Sequence, residues 1–233
     1  MQAKSAVALV PYMVVLTVAT GLVEAASLLT LGPVFTAMQT GNVLFLGFGL
    51  VGEGGLSVAA PAVSLAAFLA GALFGSRLET RLETDRHRWF VIALVAEALL
   101  VAAAAATAWG LHPVHRAPTP RHLATIAVLA TAMGVRNVTT LRVQVPDLPT
   151  TLVTRAMTTL VAGSALGHDV LLARGPTATV RRAASVGAMF AGGVAGAAWV
   201  HADWPVAGLL MVASAVVLLV AVAYVPRPRL YTR

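Results

Sequence analysis

The chain has 233 residues, of which 58% are hydrophobic, against 16 Lys+Arg, 9 Asp+Glu and no cysteine. An ordinary soluble domain carries roughly twice that share of charge, so a soluble enzyme, a disulfide-stapled secreted scaffold and a disordered chain are excluded, and with them thiol catalysis and thiolate metal sites. The formal net charge of +7 would point to nucleic acid in a soluble protein, but no basic run is interleaved with aromatics; the arginines lie between apolar segments, where they set topology and meet anionic lipid heads. Membrane lipids are therefore an expected partner and nucleic acid is not.

The chain opens with Met1 to Lys4 and an apolar run from Val7, the outline of a signal peptide ending near Ala25 or Ala26. The run continues to Leu31, past the 7 to 15 residues typical of a signal core, so an uncleaved first span is expected. Seven more apolar stretches follow, and the eight together cover residues 7–31, 34–51, 57–76, 90–111, 123–143, 150–172, 183–200 and 205–225. Most are long enough to cross a hydrocarbon layer of ~30 Å as helices. The second is short and carries Gln39, Thr40, Gly41 and Asn42; the sixth is interrupted by Arg155, His168 and Asp169. Broken segments at membrane depth survive where protein or a water-filled cavity satisfies their backbone.

Charge counting decides whether these two cross. If all eight cross from a cytoplasmic N-terminus, nine basic residues lie inside and five outside; if the second and sixth enter and return, Arg77, Arg81, Arg86, Arg88 and Arg142 move inside and the count becomes twelve against two. The positive-inside rule then favours an all-α polytopic membrane protein with six transmembrane helices, two re-entrant or half-helical segments and both termini cytoplasmic.

Gly134 follows Gly21 by 113 residues, which lays Gly21, Leu22, Val23, Glu24 over Gly134, Val135, Arg136, Asn137; at nearly the same offset Thr40, Gly41, Asn42 falls over Thr154, Arg155, Ala156. Each half thus holds a Gly-x-x-polar turn in its first span and a Thr that opens a shorter helix. With three crossings per half, the second copy is inverted, giving a 3+3 repeat of residues 1–111 and 122–226 within a single membrane domain. Inverted repeats with discontinuous helices are common in secondary transporters, with the solute at the midplane between them.

Glu24, Glu97, Arg136 and Arg155 interrupt apolar segments, and an unpaired charge at a helix centre costs about 2.5 to 3.5 kcal/mol on insertion scales. Pairing is expected, for instance Glu24 with Arg136 or Arg155, either as a structural lock between the halves or as part of a solute or proton path. Thr40 or Asn42 suits a helix cap and Gly41 a close backbone approach. A helix start within the membrane offers free N–H groups to an anion or polar solute. Thr150, Thr151 and Thr154 repeat that role in the second half, beside Asn137, and Arg155 adds a positive charge.

His112, His115 and His122 are expected in a solvent-facing loop, and no metal site is expected there because no carboxylate is near in sequence. His168 and Asp169 are adjacent and point about 100° apart on a helix, so they form no dyad. No G-x-S-x-G or Walker pattern occurs. An intramembrane lipid enzyme would need Glu97 or Asp169 in a lipid-accessible cleft beside a second catalytic group, and no such spacing is present, so neither an enzyme nor a cofactor is expected. Gly187, Gly192, Gly193, Gly196 and Ala197 read as close helix packing, and the interior glycines are compatible with a homodimer.

At Gly21, Glu24, Ala25, Ser27, Leu31, Val34, Phe35, Thr40, Gly41 and Asn42, and again at Met133, Gly134, Asn137, Thr150, Thr151 and Thr154, the sequence resembles the YoaK-like family of bacterial integral membrane proteins. The resemblance covers nearly the whole chain and implies a six-span inner-membrane protein with no established activity. In that family an Asp is more usual at Glu24, a Gln at Arg136 and a Gly at Arg155, and the two arginines point this member to an anionic ligand or to an added locking pair. The residues and the resemblance together predict a small-solute transporter or channel-like permease for a polar or anionic solute. A non-transporting scaffold with structural ion pairs is the competing expectation.

Overall fold

The computed structural model describes residues 2–81, 86–114, 117–143, 153–164, 167, 169 and 175–226. These residues form helices and connecting turns: α1 (Gln2–Ala26), α2 (Gln39–Val51), α3 (Ala59–Arg81), α4 (Arg86–Thr107), α5 (Pro120–Val143), α6 (Thr154–Ala162), α7 (Pro176–His201) and α8 (Val206–Tyr224). Six are long and apolar enough to cross a membrane, all but α2 and α6. The protein is therefore a multi-pass integral membrane protein. At about 1.5 Å per residue the 13 residues of α2 reach about 20 Å, short of the hydrocarbon thickness. The nine residues of α6 reach less.

Large apolar side chains cover the outer faces, among them Leu69, Leu73, Phe74, Phe190 and Leu219. Helices apolar on every side are those of a membrane interior. Small residues supply the contacts between helices. A Cβ on Gly71 of α3 would stand 2.1 Å from the Thr131 carbonyl oxygen of α5, and one on Gly134 of α5 would stand 2.2 Å from the Phe68 carbonyl oxygen of α3. The α1–α7 crossing is built alike: a Cβ on Gly192 would meet the Val18 carbonyl oxygen at 2.2 Å, and one on Gly21 the Met189 carbonyl oxygen at 2.6 Å. Without a hydrophobic drive between helices in lipid, association rests on such backbone approach.

The same contacts give directions. Gly71 sits beside Thr131 and Gly75 beside Val135, so α3 and α5 run parallel; Gly192 sits beside Val18 and Gly196 beside Leu22, so α1 and α7 do too. Phe90 of α4 packs on Tyr224 at the end of α8, with ring centroids 4.8 Å apart, while Ser214 Oγ donates to the Ala98 carbonyl at 2.7 Å; these helices are antiparallel. Helices α4 and α5 are also antiparallel, since Glu97 meets Arg136 and Thr107 meets Thr125 at 2.9 Å. Helices α1 and α8 meet at Tyr12 and at Tyr224, the last residue of α8, with centroids 5.7 Å apart, and Leu22 and Ala26 share a cluster with Val206 and Leu210; these helices are antiparallel. Thus α1, α4 and α7 point one way and α3, α5 and α8 the other.

Several boundaries differ from the sequence expectation, α4 running over Arg86–Thr107 and α7 starting at Pro176 among them, and two differences involve buried polar side chains. The third span runs past Ser76 to Arg81 because Glu79 is fully buried; Thr139 donates to its Oε1 at 3.2 Å and Arg142 Nε lies 2.9 Å from its Oε2. His122 is buried rather than in solvent. It belongs to the first turn of α5, where its Nδ1 lies 2.7 Å from Thr119 Oγ1 and its Nε2 lies 2.9 Å from the His112 carbonyl oxygen. The expected sixth stretch, 150–172, is represented by α6; Thr150, Thr151 and His168 lie outside the described residues, as does His115.

Candidate functional site

The first span does not end cleanly. After Ala26 the chain widens into a π-helical turn, Ser27–Leu31, and Gly32 then takes φ +117°, a conformation open to glycine and strained for other residues. Ser27 Oγ donates to the Val34 carbonyl at 2.8 Å, folding the chain back along α1. This brings residues 36 and 37 beside Glu24. The Thr36 N–H and hydroxyl each reach Glu24 Oε1 at 3.0 Å, and the Ala37 N–H reaches it at 2.6 Å. Non-helical backbone inside the bundle thus finds its acceptor in a side chain, as burial requires.

The Thr-Gly-Asn tripeptide has a different use from the one expected. Met38, not Thr40 or Asn42, occupies the N-cap of α2 and makes no side-chain cap bond. Asn42 is buried and serves as a surrogate backbone for Phe35: the Phe35 N–H donates to Asn42 Oδ1 at 2.9 Å and Asn42 Nδ2 donates to the Phe35 carbonyl at 2.6 Å. Ser64 of α3 also donates to that carbonyl, at 2.7 Å, and Asn42 Nδ2 lies 2.7 Å from Gln39 Oε1. A Cβ on Gly41 would fall 2.7 Å from the Phe35 ring, so glycine makes room for that ring, which stacks on Phe45 with centroids 5.8 Å apart. Thr40 is exposed.

The other buried charges pair in a way the sequence left open. Arg136 of α5 binds Glu97 of α4 through two guanidinium nitrogens, Nε donating to Oε2 at 2.6 Å and Nη2 to Oε1. Its Nη1 donates to the Leu16 carbonyl of α1 at 2.9 Å and to Thr20 Oγ1 at 3.4 Å. Both side chains are essentially inaccessible. The expected pairing of Glu24 with Arg136 or Arg155 is therefore replaced: Arg136 is engaged by Glu97, Glu24 by backbone N–H groups. Arg155, with Thr154, is exposed on α6, because only Ala156 of that short helix is buried. Asn137 is half-buried on α5.

Ser64, Thr36, Thr20 and Glu79 were not singled out by sequence reasoning. Glu79 had a legible signal, since it continues the four-residue spacing of Gly71 and Gly75 along the seam with α5. No group of three or more His, Cys, Asp or Glu able to hold a metal occurs among the described residues.

The family described as "Protein of unknown function (DUF1275)" matches residues 12–223. The chain belongs to that family. The matched DUF1275 region takes in α3, α4, α5 and α7 whole, α1 from Tyr12 and all but the last residue of α8, together with the Glu24 turn, the Asn42 network and the Arg136–Glu97 pair. No curated protein and no solved structure matches the chain.

Proposed function

We propose that this protein is a small-solute permease of the bacterial inner membrane, of transporter or channel type, with its solute at the midplane between the starts of α2 and α6. The observation that carries the reading is the interrupted first span: backbone at residues 32–38 turns back inside the bundle and is held there by Glu24 and Asn42. Such interruptions at membrane depth belong to solute and ion paths.

The architecture of the proposal is an inverted 3+3 repeat. Its support is numerical. Adding 113 to the α1 residues Val18, Gly21 and Leu22 gives Thr131, Gly134 and Val135 of α5, and adding 121 to Gly71 and Gly75 of α3 gives Gly192 and Gly196 of α7; under that exchange the contacts of one crossing become those of the other. Because α1 and α3 run oppositely, and α5 and α7 likewise, each short helix reads as re-entrant. Basic residues at the end that holds Tyr224, Arg81, Arg142 and Arg182 among them, support cytoplasmic termini. The YoaK-like motifs fall largely inside residues 12–223, which supports reading the two families as one.

In this reading Glu24 and Gln39 to Asn42 line one half of the path, Thr154 and Arg155 the other, and the Arg136–Glu97 pair, next to Asn137, joins the halves. The uncapped start of α2 and the exposed Arg155 favour a polar or anionic solute. Flux into proteoliposomes over a panel of small solutes tests it, with Glu24→Gln and Arg155→Ala. Equal flux for wild type and both variants removes these residues from the mechanism; no flux above protein-free vesicles rejects the permease.

One observation favours a second reading, a non-transporting scaffold: the Arg136–Glu97 pair is bidentate and closed off by Leu16 and Thr20, as a structural lock requires. Exchanging the two charges, Arg136→Glu with Glu97→Arg, would then leave the biological effect intact.

A further inference from the structure

Glu24 is 5% exposed, and its two carboxyl oxygens are treated unequally. Oε1 accepts three hydrogen bonds, from the Thr36 N–H, the Thr36 hydroxyl and the Ala37 N–H. Oε2 is buried with no hydrogen-bond partner among the described residues. A carboxylate shares its charge between both oxygens and needs donors at each. A carboxylic acid has one carbonyl oxygen, which accepts, and one hydroxyl, which donates; Oε1 with its three donors is the carbonyl, and a proton on Oε2 removes a buried charge at the smaller cost of a hydroxyl without an acceptor.

The surroundings agree. Arg136 reaches Thr20, one turn before Glu24 on α1, but its charge is matched there by Glu97. Helix α7 has no ionisable residue between Arg182 and His201, α8 has none before Tyr224, and residues 32–51 have none. At the near end of α5, His122 is held by Thr119 and His112. Among the described residues no cation pairs with Glu24, and an uncompensated charge at such depth is costly.

We propose that Glu24 is a proton-binding site, loaded while the packed helices keep water from the buried Oε2 and emptied when water reaches it, so that a proton is the coupling ion. This deepens the permease reading and rests on it. On release the O–H bond of Oε2 breaks, its electron pair stays on the carboxylate, and the proton passes to water at the open face. The new charge on Oε2 then requires a donor, which either water entering the bundle or a rearranged 32–38 turn supplies.

Two measurements on the purified full-length protein test this: infrared difference spectra across pH, and proteoliposome uptake under an imposed pH gradient. The expected results are a protonated-carboxyl C=O stretch in wild type that disappears in Glu24→Gln and shifts in Glu24→Asp, and a pH-gradient stimulation of uptake that is lost in Glu24→Gln. A band unchanged in both variants overturns the proposal, as does uptake that ignores the pH gradient and follows a sodium gradient. Should wild type take up no solute while the Glu24 band is present, the permease reading fails and the proton site stands.

Discussion

Arg136 on α5 and Glu97 on α4 form a bidentate ion pair in the bundle interior, and the guanidinium reaches past it to the Leu16 carbonyl of α1. Three spans are thereby tied at one point. Removing one partner of a buried pair leaves an uncompensated charge, at a cost of about 3 to 5 kcal/mol, whereas replacing both with apolar side chains is often neutral. Glu97→Leu and Arg136→Met are each expected to lower the unfolding temperature in detergent sharply, and the double variant to regain most of the loss. Additive losses in the double variant would show that the pair is not a unit.

The glycine seams make a contrast within one helix. Gly192→Ala places a methyl on the Val18 carbonyl, and Gly134→Ala places one on Phe68; overpacking of this kind costs typically 1 to 3 kcal/mol. Gly187 and Gly193 have open space around a built Cβ, so Gly187→Ala is expected to be neutral or slightly stabilising. Thermal unfolding of the three alanine variants measures the difference, and equal behaviour would contradict the close crossings.

Asn42 and Ser64 hold the Phe35 peptide inside the bundle. Asn42→Leu strands that peptide's N–H, at a cost of about 1 to 3 kcal/mol, and is expected to loosen the turn before it destabilises the six long helices. The chain has no cysteine, so Met38→Cys is a clean reporter. Its thiol labelling rate should rise in Asn42→Leu; an unchanged rate would mean that the turn is held by Glu24 alone.

Orientation is tested in the same way. Cysteines at Arg81 and at His112 lie at opposite ends of the bundle by the helix directions. In intact cells His112→Cys should label with an impermeant reagent and Arg81→Cys only after permeabilisation. The reverse pattern would overturn cytoplasmic termini.

How much was legible in the sequence follows from where each property resides. Hydropathy belongs to a segment, so the six long apolar helices and the two short ones could be read directly, and the rarity of charge singled out Glu24, Glu97 and Arg136 as buried. Gly41 was correctly read as a point of close approach, although what approaches is the Phe35 ring. Partner choice was not legible. Whether Arg136 meets Glu24 or Glu97 depends on the rotation and crossing of α4 and α5, and those are fixed by glycines on one helix meeting carbonyls on another. Likewise Asn42 was expected to cap its own helix, yet α2 starts without a side-chain cap, because the greater need is the Phe35 peptide, which has no regular helix to satisfy it. Membrane residence, the number of long apolar helices and three of the buried charges, Glu24, Glu97 and Arg136, were determined by the sequence itself, whereas Arg155 lies exposed and the burial of Glu79 was not foreseen. The pairing of the buried charges, the extension of α3 to Glu79 and the turning back of the chain at Glu24 were decided by tertiary structure, where buried polar groups take whichever partners the packed helices bring within reach.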